Sequence, residues 1–142
     1  MVGLERLPSR RRENGRISVF KGRKAKLNHL IFRTLALKGP QTIYDIHKIL
    51  KTTRKQRQVR YSSLNKRVRS LEELGYIKNI GAKKTQAGFE AVIYDLTARA
   101  YLAILLNSIN LNELVEQADE TTATQIITDM VYTCLIKSKS NK

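Results

Sequence analysis

Two glycine-centred breaks divide the first half of the sequence into short segments. Gly39, followed by Pro40, interrupts one helical pattern, and Gly75 ends another. Glycine accepts the positive φ that often follows a last helical turn, and proline cannot continue a helix. Before each break, apolar residues recur at three- and four-residue spacing, which is typical of a helix with one buried face. The pattern predicts three short helices before Gly75.

The first helix is predicted over 27–38, the second from Thr42 for about two turns, and the third from Ser62 or Ser63 to Leu74. Thr42 has an acidic residue three positions on, which is the spacing of a capping box, and either serine could cap the third helix. The predicted inward faces are Leu27, Leu30, Ile31, Thr34 and Leu35, then Ile43, Ile46, Ile49 and Leu50, then Tyr61, Leu64, Val68, Leu71 and Leu74.

Beyond Gly75, the sequence changes from helical to strand-like patterning. Residues 76–82 and 89–96 are rich in β-branched and aromatic side chains, which favour strands. They flank a polar, glycine-containing segment, 83–88, that begins with Lys83 and Lys84. This arrangement predicts a hairpin with a basic, mobile tip.

Residues 97–142 carry further helical signals. Thr97 can cap a fourth helix, Asn110 a short fifth one and Thr122 a sixth one. The predicted apolar stripes are Ala98, Tyr101, Leu102, Leu105, Leu106 and Ile109, then Ala123, Ile126, Ile127, Met130, Val131, Cys134 and Leu135. These helices could fold back on the preceding domain or pair with a second copy of the chain.

The net charge of +15 is distributed unevenly. Residues 1–28 carry 9 basic and 2 acidic side chains, residues 29–96 carry 14 and 5, and residues 97–142 carry 4 and 5. A positive excess of this size predicts a polyanionic partner, and nucleic acid is the first candidate. The nearly neutral last third suits packing or assembly instead.

The sequence offers no candidate for catalysis. Cys134 is the only cysteine, and with two isolated histidines it does not make a zinc set. In the segments expected to face DNA, neither a glycine-rich phosphate loop nor a Ser/His/Asp set nor a carboxylate pair is apparent. The sequence has no apolar stretch long enough for a membrane span, and charges occupy the place of a signal peptide's apolar run. We therefore expect a cytoplasmic protein that is not an enzyme and needs no metal, cofactor or membrane.

Three phrases of the sequence resemble the winged helix-turn-helix fold of PadR-like and MarR-like regulators. LKGPQTIYDI, at 37–46, is similar to the entry into the second helix of those proteins. LEELGYI, at 71–77, resembles the end of their recognition helix, and YDLT, at 94–97, resembles the last wing strand entering the next helix. Ala100 departs from the families' pattern, which usually has glycine three residues after that threonine.

The resemblance covers about 80 of the 142 residues and implies both a fold and a function. The implied fold is mainly α with a small β-hairpin wing, followed by C-terminal helices. The implied domains are a basic flexible arm over 1–26, a winged helix-turn-helix domain over 27–96 and a dimerisation region over 97–142. The implied function is a DNA-binding transcriptional regulator that acts as a homodimer on duplex DNA.

In this fold the third helix lies in the major groove, where base edges are distinguishable. Asn65 suits adenine, whereas Lys66 and Arg69 suit guanine or phosphate, and Arg67 is expected to flank this outward face. Basic residues before the helix, in the wing and in the arm suit phosphates or a minor groove. The expected DNA-binding residues are Ser62, Ser63, Asn65, Lys66 and Arg69, with Arg54, Lys55, Arg57 and Arg60, with Lys83 and Lys84, and with Arg10, Arg11 and Arg12.

Two alternatives use the same charge. One is an RNA-associated or ribosome-associated basic protein, for which the arginine-rich arm and the isoelectric point near 10.3 are equally suitable. The other is an architectural protein that coats DNA without sequence choice. Exposed aromatic platforms on strands would favour RNA.

Overall fold

The structure is a computed structural model that describes residues 17–53 and 59–137. The chain divides into two compact units, residues 1–107 and residues 108–142. The first unit therefore extends beyond the boundary at residue 96 that the sequence predicts. It does so because the helix after the wing buries its small side chains in the first core.

The first unit contains five helical elements and three strands within its described residues. They are a 3-10 turn Ser18–Phe20, α1 Ala25–Lys38, β1 Gln41–Thr42, α2 Ile43–Thr52, α3 Tyr61–Glu73, β2 Ile77–Lys84, β3 Glu90–Leu96 and α4 Ala98–Ser108. The sheet is antiparallel in the order β1-β3-β2. Three helices followed by a hairpin confirm the predicted fold class, which is mainly α with a small wing. The two-residue strand β1 was not predicted.

The end of α1 and the start of α2 follow the predicted chemistry. Gly39 ends α1 with φ 80°. Thr42 caps α2, because its Oγ1 accepts a hydrogen bond of 3.1 Å from the backbone N–H of Asp45. Helix α2 has 10 residues and is longer than the two turns expected.

Helix α3 begins earlier than the sequence indicates. Arg60 occupies the N-cap position and makes no side-chain capping bond, so the prediction that Ser62 or Ser63 caps this helix is wrong. Both serines lie inside the first turn, where a hydroxyl no longer reaches the free N–H groups as a cap does. Three members of the predicted inward stripe are fully buried: Leu64, Val68 and Leu71. The predicted outer members of the same stripe, Tyr61 and Leu74, are 43% and 52% exposed.

The core of the first unit joins α1, α2, α3 and the wing. Its largest fully buried side chains are Phe32, Ile31, Leu35, Ile46, Leu64, Leu71, Ile77 and Val68. Phe32 was absent from the predicted stripe of α1, although it lies beside Ile31 on the same helix. These apolar side chains, removed from water, supply the main driving force for folding of the unit.

The core also includes residues from the segment that the sequence assigns to a flexible arm. Val19 and Phe20 are buried, and the ring of Phe20 stacks on His29 with centroids 4.2 Å apart. The side-chain amide of Asn28 donates a hydrogen bond of 2.8 Å to the carbonyl of Val19. The predicted arm boundary at residue 26 is therefore wrong, because the folded part of the chain already includes the 3-10 turn.

Helix α4 buries small residues and exposes large ones. Thr97 caps it by accepting from the N–H of Ala100 across 3.3 Å. Ala100 is 0% exposed and Ala103 is 5% exposed. The predicted inward stripe is wrong, since its large members are about half exposed: Tyr101, Leu102, Leu105, Leu106. Alanine lets the helix axis approach the core closely, and this contact decides the orientation of α4.

The turn between α3 and β2 is held by α4. Gly75 has φ 84°. The carbonyl of Leu74 accepts a hydrogen bond of 2.6 Å from Nη1 of Arg99, and the carbonyl of Gly75 accepts one of 2.6 Å from Oγ1 of Thr97. The C-terminal end of α3 is thereby fixed to the start of α4.

The second unit consists of α5 Leu111–Gln117, α6 Glu120–Val131 and a π-helical turn Tyr132–Lys137. Asn110 caps α5, as predicted. Asp119 rather than Thr122 caps α6, because its carboxylate accepts a hydrogen bond of 2.7 Å from the N–H of Thr122. No residue of α5 or α6 is buried. The large apolar side chains that this unit exposes are Leu111, Val115, Ile127, Met130, Val131, Tyr132, Leu135 and Ile136.

No helix in residues 17–53 or 59–137 combines the length and the apolar character that a membrane crossing requires.

Candidate nucleic-acid interface

The outer side of α3 gathers polar and basic side chains. Ser62, Ser63, Lys66 and Arg69 are exposed there, and Asn65 is half-buried beside them. The helix positions them because its opposite side is anchored in the core through Leu64 and its neighbours at helical spacing. The structure thus brings the five predicted residues of α3 to one surface, and their contact with DNA stays a prediction.

Two of these side chains are already paired. Nε of Arg69 donates a hydrogen bond of 2.9 Å to Oδ1 of Asn65, one helical turn earlier. The bond leaves the two terminal nitrogens of the guanidinium outside it, and these can still contact guanine or phosphate. Bidentate recognition of adenine by asparagine needs both the oxygen and the nitrogen of the amide. The amide oxygen has two lone pairs, so its bond to Arg69 leaves one of them for adenine.

A basic groove continues from the start of α3 toward the start of α1. It is a cavity of about 430 Å³ with cationic side chains from Arg23, Lys26 and Arg60 on its walls and with Ser63 at its edge. Arg60 was among the predicted contacts, whereas Arg23 and Lys26 were assigned to the arm in general. The available signal was their position, four residues and one residue ahead of Leu27, where the first apolar stripe begins.

The wing differs from its predicted form. Lys83 and Lys84 are the last two residues of β2 and lie opposite Ala91 and Glu90, so their prediction as tip residues is wrong. The strand continues through them because β3 supplies pairing partners as far as Glu90. The tip is the turn 85–89, which is closed by a hydrogen bond of 2.7 Å from the N–H of Thr85 to the carbonyl of Phe89.

The tip carries an aromatic side chain, Phe89, which the sequence pattern predicts within a strand. Phe89 is 72% exposed at the end of the wing. An exposed aromatic residue next to a turn is a weak signal in a sequence, because alternating strands also contain aromatic residues on their buried face. The structure therefore adds an apolar group to a tip that was expected to be basic.

Lys83 is engaged within the chain. Its Nζ lies 2.8 Å from Oδ2 of Asp45, in the first turn of α2. The hydrogen bond from Lys83 is the largest influence on the pKa of Asp45 and lowers it from the ordinary value of 3.8, although partial burial acts in the opposite direction. Lys84 is exposed beside it.

Arg67 lies on the inward side of α3, so its prediction as a flank of the outer face is wrong. It is only 9% exposed, and its Nη2 donates a hydrogen bond of 2.5 Å to Oγ of Ser70. The physical reason is helical periodicity, since position 67 is three residues after Leu64 and four before Leu71. Both of those residues are fully buried.

The other predicted contacts fall on parts of the chain that the structure does not describe. Arg54, Lys55 and Arg57 lie between the described ranges, and Arg10, Arg11 and Arg12 precede them. Within those ranges, no group of three or more His, Cys, Asp or Glu side chains could hold a metal ion.

The element order, the β1-β3-β2 sheet and the basic outer face of α3 define a winged helix-turn-helix domain. No known protein-family model matches the sequence, and no curated protein is significantly similar to it. In structure the chain is similar to diamide-treated YodB from B. subtilis, at 18% identity with a TM-score of 0.49, covering 72% of this chain and 88% of YodB. It is also similar to TA0346 from Thermoplasma acidophilum, a proposed transcriptional regulator, at 18% identity with a TM-score of 0.48, covering 75% and 91%.

Proposed function

We propose that this protein is a transcriptional regulator of the PadR-like or MarR-like type that reads duplex DNA with α3 in the major groove. One observation carries the proposal: a helix anchored in the core through one face presents Asn65, Lys66 and Arg69 on the other. A major groove is wide enough to admit a helix, and these side chains are the types that pair with adenine and guanine edges. The protein acts by binding and not as an enzyme.

The surroundings of α3 support backbone contacts. Arg60 at the start of the helix and Arg23 and Lys26 across the adjoining groove form a basic wall. Such cations neutralise phosphates, release condensed counterions and so supply affinity that does not depend on sequence. We propose the same role for the other predicted cations. Those in 54–57 would contact phosphates along the wall of the major groove, and those in 10–12 would form an arm on the backbone or in the minor groove.

The wing is proposed to contact DNA beside the groove that α3 occupies. Lys84 is exposed at the end of β2 and suits a phosphate, whereas Lys83 already donates one of its three N–H groups to Asp45. We also propose that the protein is located in the cytoplasm.

The second unit is proposed to join two copies of the chain. Ile127, Met130 and Val131 expose 61%, 59% and 43% of their surfaces. Contiguous exposed apolar surface of this kind marks interaction sites. Residues 97–142 carry almost no net charge, so two copies with +15 each can meet there without strong repulsion. A two-fold dimer would present two α3 helices to half-sites roughly 34 Å apart.

Selection from random nucleic acids tests the proposal. The full chain is mixed with random duplex DNA, single-stranded RNA and double-stranded RNA at near-physiological salt, and bound molecules are sequenced. We expect an enriched inverted repeat in duplex DNA. Preferential recovery of RNA would favour the RNA-binding alternative, and duplex DNA without sequence enrichment would favour an architectural role.

The salt dependence of duplex binding gives an independent check. Each neutralised phosphate adds about 0.9 to the slope of log affinity against log salt. We expect Lys66→Ala to reduce the affinity, and Arg33→Ala, which removes an exposed cation from α1, serves as the control. A slope near zero would contradict DNA binding.

A further inference from the structure

A second cavity, of about 460 Å³, lies against the inward side of α3. Its walls come from the 3-10 turn, the start of α1, the end of α3 and the start of α4. Four of its lining residues are cationic: Lys21, Lys24, Arg67 and Arg99. No Asp or Glu of the described chain lines it. All of these residues belong to the first unit.

The strongest feature of this cavity is a buried guanidinium that pairs with no Asp or Glu of residues 17–53 or 59–137. Arg67 is 91% buried by its exposure of 9%, and its Nε has no hydrogen-bond partner. Its hydrogen bond to Ser70 joins it to a neutral hydroxyl. Burying a charge is costly unless it is paired, and arginine cannot relieve that cost by losing its proton. An anion in the cavity would supply the missing partner.

A second orphaned atom narrows the chemistry of the occupant. Asn28 is 4% exposed and lines the same cavity. Its side-chain nitrogen donates to the carbonyl of Val19, which fixes the orientation of the amide. Its Oδ1 is therefore the atom left without a partner. An oxygen in this position accepts a hydrogen bond from a hydroxyl or amino group of a ligand.

We propose that this cavity binds a small organic anion that carries both an oxyanion and a hydroxyl or amino group. The oxyanion pairs with Arg67, with Lys24 and Arg99 at the rim, and the donor group binds Oδ1 of Asn28. The ring of Tyr76 and the methyl groups of Leu74 provide an apolar wall for the carbon skeleton of the ligand. The volume is typical of small-molecule sites, and a bare phosphate would fill only part of it.

The location links the site to DNA reading, and this step rests on the proposed function. Arg67 lies on α3 between Lys66 and Arg69, which face outward. A ligand that joins Arg67 to Asn28 and Lys24 connects α3 to the start of α1. Such a ligand changes DNA affinity to the extent that it prefers one position of α3 over another. The cavity is thus an effector site behind the recognition helix.

Calorimetric titration and thermal unfolding of the full chain, without DNA, test the binding step. The probes are glycerol 3-phosphate, lactate as a carboxylate with a hydroxyl group, and inorganic phosphate, with sodium chloride at equal ionic strength as the reference. We expect one of the two organic anions to bind with a stoichiometry of one per chain. We also expect it to raise the transition by several degrees more than chloride does. The comparison of the two organic anions identifies the oxyanion.

Variants separate the site from general attraction to a cationic protein. Arg67→Met and Lys24→Met should each weaken binding about tenfold or more. Lys48→Met, which removes an exposed lysine of α2, should leave it unchanged. Lys24 is exposed, so its variant decides the matter if Arg67→Met does not fold. Equal shifts with every anion and chloride, or unchanged binding in Lys24→Met, would overturn the proposal.

A DNA titration with and without the bound anion separates the two proposals. We expect the anion to change the affinity of the full chain for a selected duplex several-fold, and Lys24→Met to abolish the change. Anion binding in a chain that does not bind DNA would overturn the proposed function and leave the site intact. Anion binding with unchanged DNA affinity would overturn the effector role alone.

Discussion

Lys83 on the wing and Asp45 on α2 form an ion pair of 2.8 Å between positions 38 residues apart in the sequence. The two side chains are 53% and 28% exposed, so the pair is worth only about 0.2 to 1 kcal/mol by itself. Its structural effect is to connect the end of strand β2 with the first turn of helix α2. The attachment of the wing to α2 therefore depends on the negative charge of Asp45.

Asp45→Asn is expected to lower stability by about 0.5 kcal/mol or less near neutral pH. Because the hydrogen bond from Lys83 lowers the pKa of Asp45 from 3.8, the carboxylate stabilises the folded state above that ordinary value. The stabilisation is lost as the pH falls through the lowered pKa. Urea unfolding of wild type and variant between neutral and acidic pH measures this, with Glu90→Gln on β3 as the control. A difference of the same size at every pH would contradict the assignment.

Substitutions on the two sides of α3 should have opposite consequences. Arg69→Ala should weaken DNA binding with little change in stability, because the side chain is exposed and its hydrogen bond to Asn65 lies on the surface. Leu71→Ala should lower the free energy of unfolding by about 2 to 5 kcal/mol, because it leaves a cavity in the core. Denaturant unfolding and DNA titration of both variants check the prediction. Equal destabilisation by the two would show that the assigned faces are wrong.

Two truncations should separate the basic N-terminal residues from the core. Removing 1–16 should weaken DNA binding and leave the thermal transition nearly unchanged. Removing 1–26 should lower the transition markedly, because it deletes Val19 and Phe20 from the core. Phe20→Ala in the full chain should cost about 3 to 5 kcal/mol and serves as the matched point variant. Equal transitions for the two truncations would contradict a structural role for the 3-10 turn.

The C-terminal unit should determine the mass in solution. We expect a dimer of the 16.3 kDa chain at tens of micromolar. Ile127→Asp or Val131→Asp should shift it toward monomer, because a carboxylate would have to be buried in an apolar interface. Light scattering or sedimentation measures the mass. A wild-type monomer would contradict the dimer, and a dimer unaffected by both substitutions would move the interface to α4.

The elements with local signals could be predicted from the sequence. Helix stops at Gly39 and Gly75 and the cap at Thr42 depend on backbone chemistry that the residues themselves dictate. Three of the five predicted core positions of α3 are buried and follow from its periodicity, and the hairpin follows from its β-branched runs. The outward turn of Lys66 and Arg69 follows from the same periodicity.

The errors arose where neighbouring elements decide the outcome. In α4 the large apolar residues have helical spacing and were predicted to face the core. Ala100 and Ala103 face it instead, because their small size permits close approach. The spacing of Arg67 from Leu64 predicts a buried position, but a charged side chain is usually exposed to solvent. Lys83 joined a strand because Ala91 lies opposite it, a register that short-range patterns do not reveal.

The hydrogen bond from Arg99 to the turn after α3 makes the energetic effects of substitutions at positions 75 and 99 depend on each other. A methyl group at Gly75 would lie 2.5 Å from Nη1 of Arg99, which would have to leave the carbonyl of Leu74. Gly75→Ala in the wild-type chain thus combines an unfavourable φ with a lost hydrogen bond, whereas in an Arg99→Ala background only the first cost remains. The two substitutions together should be less harmful than their separate effects predict, by about 0.5 to 1.5 kcal/mol. In sequences descended from a common ancestor with this one, a side chain at position 75 is therefore expected more often where position 99 is not arginine.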